Sequence, residues 1–315
     1  MNALSVSFDE LEKDLSFVAE RTEESLKFYL SRNFSPAYRR QSELSHVGDA
    51  SVLKLIDAMA YSTLSGGKRI RPYLTLAVSK MFGGNQDAAL TLACALEMIH
   101  TYSLIHDDLP CVDNDDLRRG RPTNHKVYGE AGALFAGDAL LTYAFEVATE
   151  AKLAPKSLVS AVRALSEGAG HLGMLGGQMT DMDAEHKELS IEELCALHDM
   201  KTGALIRTAV RLGCLAANVD DPQVFDAMDS YASDIGRAFQ IVDDILDRYG
   251  DSRLLGKNIG SDAESCKNTF LTFYEREEAI EEAKALTNRA IDTVSAYDHS
   301  ENLVLLAQYL LQRNK

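Results

Sequence analysis

Between Asn85 and Asp108 the chain contains neither glycine nor proline, and Leu96, Ile99 and Leu104 recur near helical spacing. Such a run is predicted to fold as one long helix. Its end is crowded with charge: Asp107, Asp108, Asp113, Asp115 and Asp116 stand beside Arg118 and Arg119. Pro110 disfavours helical geometry at Leu109, so the helix ends or kinks there. Asp107 and Asp113 would lie about 240° apart on an unbroken helix at ~100° per residue. They can therefore share an ion only if Pro110 bends the chain between them. His100, Ser103 and Asp107, at i, i+3 and i+7, point along one cavity. Oxygen-only ligands in this number suit Mg2+, which is commonly held by one or two carboxylates plus substrate phosphates. The two arginines can grip the same phosphates in a bidentate manner. The plainer alternative is a solvated acidic helix end.

A second acidic cluster has the same character. From Pro222 to Tyr249 the pattern predicts a long helix, and Gln240, Asp243, Asp244 and Asp247 form one polar stripe on it. Like charges at these spacings repel and destabilise a helix, and a bound cation offsets that repulsion. Two such clusters, each ending a long helix, are expected to face each other across a metal and diphosphate site in a helical bundle. An EF-hand is excluded: counting from Asp113, Arg118 and Asn124 stand where that loop needs glycine and glutamate.

The 315 residues contain no linker-like tract, and the six prolines suit an all-helical chain, so one domain over 1–315 is the expectation. The net charge of −16 argues against nucleic acid and against an anionic membrane surface, which makes clusters of basic residues informative. Cys94, Cys111, Cys195, Cys214 and Cys266 are scattered and never spaced as CxxC, so neither a disulfide frame nor a zinc site is expected and a reducing cytoplasm is the simplest home. The opening residues, with acid by Asp9, read neither as a secretory signal nor as a transit peptide, and no unbroken apolar run is long enough to suggest a membrane anchor.

Taken in order, residues 8 to 32 form an amphipathic helix burying Leu11, Leu15, Val18, Leu26 and Leu30. A shorter helix from about Ser51 to Thr63 leads into Ser65-Gly66-Gly67-Lys68-Arg69-Ile70-Arg71-Pro72. The glycines free the backbone to approach a ligand, and Lys68 and Arg71 offer charge to a diphosphate; the alternative is a basic helix start after a turn. Helices are expected over Ala131 to Ala151 and Leu153 to Glu167, followed by a glycine-rich stretch, 168–177, with no preceding strand and hence no dinucleotide fold. That stretch reads as close helix packing or a kinked helix near a ligand, and Gln178 and Asp181 either share its cavity or serve the structure. Ser190 and Glu193 make a capping box for a helix carrying Lys201-Thr202-Gly203, where a kink would turn carbonyls toward the cavity unless Lys201 is a surface lysine.

The paired aspartate motifs, with GGKRIRP before them, KTG between them and GKNIGSD after them, resemble the trans-prenyltransferases, in particular short-chain bacterial farnesyl diphosphate synthases. The resemblance runs from about residue 8 to the closing QRNK. It implies an all-α bundle of the isoprenoid synthase type around a deep central cavity, normally a homodimer. The implied reaction is head-to-tail condensation of an allylic diphosphate, dimethylallyl or geranyl, with isopentenyl diphosphate, using three Mg2+ ions. Carried over by position, Asp107 and Asp113 bind two metals with Asp108 in support, and Asp243 binds the third with Asp244 and Asp247 behind it. Arg118, Lys201 and Lys257 hold the allylic diphosphate; Lys267 matches a further lysine of that region. Lys68, Arg71, His100 and Arg119 hold isopentenyl diphosphate, while Thr202, the carbonyl of Lys201 and Gln240 face the developing allylic cation.

The resemblance also implies that Tyr102 and Ser103 form the floor that stops the growing chain. An aromatic at 102, with two extra residues around Pro110, is similar to the type that stops at fifteen carbons. The stretch CVDNDDLRRGRPTNHKV equally resembles geranylgeranyl diphosphate synthases, which carry a thinner residue at 102; side-chain volume favours farnesyl diphosphate over the geranylgeranyl and geranyl alternatives. One departure is visible: Leu271 and Glu275 replace a proline and a glycine, which is expected to loosen the turn next to Lys267. A terpene cyclase needs no second diphosphate site, so Lys68, Arg71, His100 and Arg119 discriminate against it. The intact acidic and basic sets argue against a non-catalytic regulatory subunit.

Overall fold

Helix α1, Phe8–Arg32, starts with a reciprocal capping box between Ser7 and Glu10 and buries Leu11, Leu15, Leu26 and Leu30. It belongs to a computed structural model that describes residues 7–34, 49–184, 187–249 and 268–312. Lys257, Lys267 and Cys266 lie outside the described residues. The remaining helices are α2 (Asp49–Thr63), α3 (Ile70–Met81), α4 (Gln86–Asp107), α5 (Asn124–Tyr128), α6 (Glu130–Ala148), α7 (Pro155–Ala169) and α8 (Met174–Asp183). They continue with α9 (Ile191–His198), α10 (Ala204–Ala216), α11 (Pro222–Tyr249), α12 (Arg276–Val294) and α13 (Glu301–Leu311). Among the described residues the only strands are β1 (Leu117–Arg118) and β2 (Arg121–Pro122), a two-residue antiparallel hairpin.

Helix α4 is the axis of the bundle and packs against α3, α6 and α10. Asn85 caps it, its side-chain oxygen accepting from the amides of Asp87 and Ala88. Apolar side chains surround most of its circumference, the pattern of a core helix rather than a surface one. Leu92, Leu96, Met98 and Ile99 are fully buried, each contributing about 1.5–3 kcal/mol relative to exposure. Small residues at 88, 89, 93 and 95 let neighbouring helices approach closely. By hydropathy averaged along the helix, α4 and α6 both reach the range of a membrane span, although neither is an unbroken apolar run. For α4 the relevant window is 72% buried inside the protein, whereas α6 leaves Leu134 and Phe135 exposed.

One large apolar cluster joins α1, α3, α4, α6, α7, α10, the first half of α11 and α13. A second joins α9, the second half of α11, the 3-10 turn Phe270–Thr272 and α12. The acidic end of α11 therefore sits on its own small core, beside the main one.

Candidate active site

The first acidic wall forms where α4 stops. Asp108 is the C-cap, and residues 109–112 turn so tightly that the Asp113 amide donates to the Asp107 carbonyl at 2.8 Å. This is the bend expected at Pro110, and it brings the charges of Asp107 and Asp113 into mutual reach. Asp108 is buried, and its Oδ1 accepts from Arg118 Nε at 2.7 Å; Arg118 also reaches Asp115 at 3.7 Å. Burial pushes the Asp107 and Asp108 carboxyls up to about 6, against the pull of Lys201 and Arg118 on Asp107 and of Arg118 on Asp108. Neighbouring carboxylates add to the rise. A divalent cation would reverse that balance. Among the described residues no three acidic, histidine or cysteine side chains close into a cage of their own. An oxygen-only set that leaves positions for water and phosphate fits Mg2+ held jointly by protein and substrate.

The basic residues gather about two turns back along the same face of α4, around His100. A cavity of about 170 Å3 is lined by Lys68, Arg71, His100 and Arg119, with Ile206, Ile235 and Phe239 among its apolar walls. Gly67 has φ +126, a backbone conformation that residues with a side chain rarely adopt, and the loop lies against the Arg119 guanidinium. Arg119 donates to the carbonyl of Gly66. Arg71 Nη1 lies 3.4 Å from His100 Nε2. Burial first, then the surrounding guanidinium groups, holds the His100 pKa well below its usual range. His100 is thus a neutral imidazole among cations, able to accept from Arg71 and to donate through Nδ1. The concentration of positive charge in an acidic protein suits this cavity to an anion.

The wall of the same cavity holds a pair that sequence reasoning did not single out. Arg69, in left-handed geometry at φ 49, donates to Glu97 at 2.5 Å and to the carbonyl of Thr63 at 2.7 Å, and both side chains are buried. A glutamate inside the apolar run of α4 was the available signal. Glu97→Ala would leave Arg69 charged and unpaired, so stability is expected to fall by about 3–5 kcal/mol, read from chemical unfolding. A loss below about 1 kcal/mol would mean that water or another group takes over the pairing.

The second wall is on α11. Asp244 is buried, and its carboxylate accepts from Gln240 Nε2 at 2.9 Å and from the Phe270 amide at 2.8 Å. Gln240 in turn accepts from Thr202 Oγ1 at 3.2 Å. Thr202 belongs to a π-helical turn, Asp199–Gly203, inserted between α9 and α10. The expected kink at Lys201-Thr202-Gly203 is this turn, and insertions of this kind are frequent at functional sites. Lys201 Nζ contacts Asp181 Oδ2 at 2.5 Å. A Cβ on Gly177 would lie 2.2 Å from the Lys201 amide nitrogen, so part of the glycine-rich stretch serves close packing of α8 on the turn. Lys201 acts on the charge of Asp107, while its neighbour Thr202 bonds to α11. The turn thus links the two acidic walls.

Tyr102 is 2% exposed, packs edge-on to His106 at 5.7 Å between ring centres, and its hydroxyl has no partner among the described residues. Ser103 Oγ donates back to the His100 carbonyl at 2.9 Å. Neither lines the basic cavity. Where a proline and a glycine were expected, residues 268–275 make hydrogen bonds to neighbouring elements. Asn268 accepts from the Leu189 amide and donates to the carbonyls of Ala184 and Lys187; Phe270 is buried and stacks on His198. Glu275 closes a capping box with Glu278 at the start of α12. Phe270 and Leu271 are both buried in the second apolar cluster.

An all-helical bundle with acids on two helices and a cationic cavity beside them defines an isoprenoid synthase fold. The chain belongs to the polyprenyl synthetase family, whose model matches residues 53–304. It is 43% identical over 268 residues to the farnesyl diphosphate synthase of Escherichia coli, covering 83% of this chain and 90% of that one. It is 44% identical over 264 residues to the geranylgeranyl diphosphate synthase of Cyanophora paradoxa, covering 82% and 88%. A geranyltransferase structure from Helicobacter pylori, complexed with magnesium and isoprenyl diphosphate, superposes with a TM-score of 0.76 at 33% identity over 95% of this chain and 96% of that one. The protein is accordingly a short-chain prenyltransferase. Relatives of both product lengths match at similar identity and coverage.

Proposed function

We propose that this enzyme condenses dimethylallyl or geranyl diphosphate with isopentenyl diphosphate, head to tail, and releases farnesyl diphosphate. The observation that carries this reading is the gathering of Lys68, Arg71, His100 and Arg119 in one cavity, apart from the acidic wall at Asp107. Two anion-handling regions suit two diphosphate substrates; a cyclase needs one.

In this reading Asp107, Asp113 and Asp243 would hold Mg2+, three ions in all, with Asp108 orienting Arg118. When bound, the metal neutralises the diphosphate leaving group and so favours rupture of the allylic C–O bond. Arg118 and Lys201, joined by Lys257 and Lys267 from outside the described residues, grip the same diphosphate. Both electrons of the C–O bond leave with it. Thr202, the Lys201 carbonyl and Gln240 present oxygen dipoles to the allylic cation. The isopentenyl double bond, held by its own diphosphate against Lys68, Arg71, neutral His100 and Arg119, then forms the new C–C bond. The resulting cation loses a proton to the released diphosphate, so no protein nucleophile is required. The apolar walls from α10 and α11 keep water from the cation.

The bulk of Tyr102, with Ser103 beside it, supports a fifteen-carbon product; geranylgeranyl and geranyl diphosphate are the alternatives. A homodimer is part of the proposal, supported by the exposed Leu134 and Phe135 on α6. So are a single prenyltransferase domain over 1–315 and a cytoplasmic location, the latter supported by free Cys94, Cys111, Cys195 and Cys214.

Incubation with Mg2+, isopentenyl diphosphate and either allylic diphosphate is expected to give an elongated prenyl diphosphate, with fifteen carbons dominant. Diphosphate release from geranyl diphosphate alone, with no elongation when isopentenyl diphosphate is present, would mark a cyclase instead.

A further inference from the structure

Nothing in the reaction above uses Asp199 or Arg237, yet they form a paired contact on the turn that carries Lys201 and Thr202. Arg237 Nε donates to Asp199 Oδ1 at 2.8 Å and Arg237 Nη2 to Oδ2 at 2.5 Å, a bidentate fork between the first residue of the π turn and α11. Both side chains are partly buried, and the fork is the reason Arg237 holds its proton more tightly than usual. The next contact along the same two elements is Thr202 Oγ1 to Gln240 Oε1 at 3.2 Å. From Asp199 to Thr202 is three residues, and from Arg237 to Gln240 is also three. The two contacts therefore run in step, one turn apart, and together fix how far the π turn slides and rotates against α11. A single hydroxyl-to-amide bond at 3.2 Å cannot do this alone, because it leaves rotation about its own axis free.

On the opposite side α8 holds the turn through Gly177 and Asp181. A π turn has poorer internal geometry than the α-helix around it, so its shape depends on what is packed against it. Arg207 adds a weaker contact, its Nη2 lying 3.5 Å from the Asp199 carbonyl.

We propose that Asp199 and Arg237 are a positioning pair: their fork sets the register of the turn that presents Lys201 and Thr202 to the allylic substrate. The inference rests on the roles given above to Lys201, Thr202 and Gln240. It assigns the pair no contact with substrate. Its loss is expected to act on kcat, since a small displacement of groups aimed at a developing charge slows the chemical step more than it weakens binding.

The test uses the full-length enzyme with geranyl and isopentenyl diphosphates. Arg237→Met and Asp199→Asn are each expected to lower kcat about tenfold, with KM for isopentenyl diphosphate changing by less than about twofold. The double variant is expected to lose no more than either single one, because both remove the same fork. Arg237→Lys, which keeps the charge but not the fork, is expected to recover part of the rate. Thermal melts of every variant separate this from unfolding: a fall in kcat that follows only the loss of folded protein overturns the proposal. So does wild-type kcat in both single variants, or independent multiplying losses in the double. Thr202→Val distinguishes the two levels. If it slows turnover while Arg237→Met does not, this inference alone fails; if neither slows turnover, the roles assigned to the turn fail as well.

Discussion

Asp107→Asn is expected to lower kcat/KM for condensation by about a thousandfold, because it removes a charged ligand for the ions that stabilise the departing diphosphate. The substitution keeps the side-chain shape, so the fold should persist. Stability should even rise in metal-free protein. Asp107 is partly buried beside Asp113 and Asp108, and its carboxyl is held up at about 6 where an ordinary one titrates at 3.8. The sign follows from proton binding. Between those two values the folded state binds protons that the unfolded chain does not, so the stability contributed by Asp107 and Asp108 falls as pH rises from about 4 to 6. Above that window both carboxylates are ionised at some cost to the fold. Adding Mg2+ at pH 7.5 is therefore expected to raise the thermal midpoint of the wild type clearly and that of Asp107→Asn weakly. Calorimetry across this pH range with and without Mg2+, together with steady-state kinetics, checks both parts. Turnover of Asp107→Asn within tenfold of wild type would remove Asp107 from the metal site.

Tyr102→Ala should shift the product toward twenty carbons, read by chromatography of the prenyl alcohols after dephosphorylation. Tyr102 is almost wholly enclosed in the main apolar cluster, on the same helix as Asp107 and five residues before it. Removing its ring opens space, and the substitution is expected to cost about 3–5 kcal/mol of stability at the same time. Tyr102→Phe isolates the cause. The Tyr102 hydroxyl has no partner among the described residues, so its loss should change neither product length nor stability by much. If Tyr102→Ala folds and still stops at fifteen carbons, another residue sets the limit.

Much of this arrangement was legible in the sequence, and the reasons are local. Periodicity and caps located α1 at residues 8 to 32, α4 up to Asp107, α9 from the Ser190 box, and α11 from Pro222 to Tyr249. The bend at Pro110 follows from a single residue whose backbone preference is strong, whereas Gly203 keeps ordinary helical angles and does not by itself dictate the π turn. Pairings between distant elements were not legible. Glu97 stands 28 residues from Arg69, Asp181 stands 20 from Lys201, and Asp199 stands 38 from Arg237. Nothing in the spacing of such residues says which carboxylate meets which cation, since packing of the bundle decides it. The same holds at Leu271. The stacking of Phe270 on His198 and its amide bond to Asp244 are contacts that the absence of a proline does not announce.

The decisive measurement is anomalous diffraction from crystals grown with Mn2+ in place of Mg2+ and a slowly reacting thio-analogue of an allylic diphosphate. Metal peaks are expected on both sides of one diphosphate, at Asp107 and Asp113 on one side and at Asp243 on the other, with Arg118 and Lys201 on its oxygens. Metal bound at only one of these walls, or a diphosphate seated away from both, would contradict a site shared by the two acidic walls.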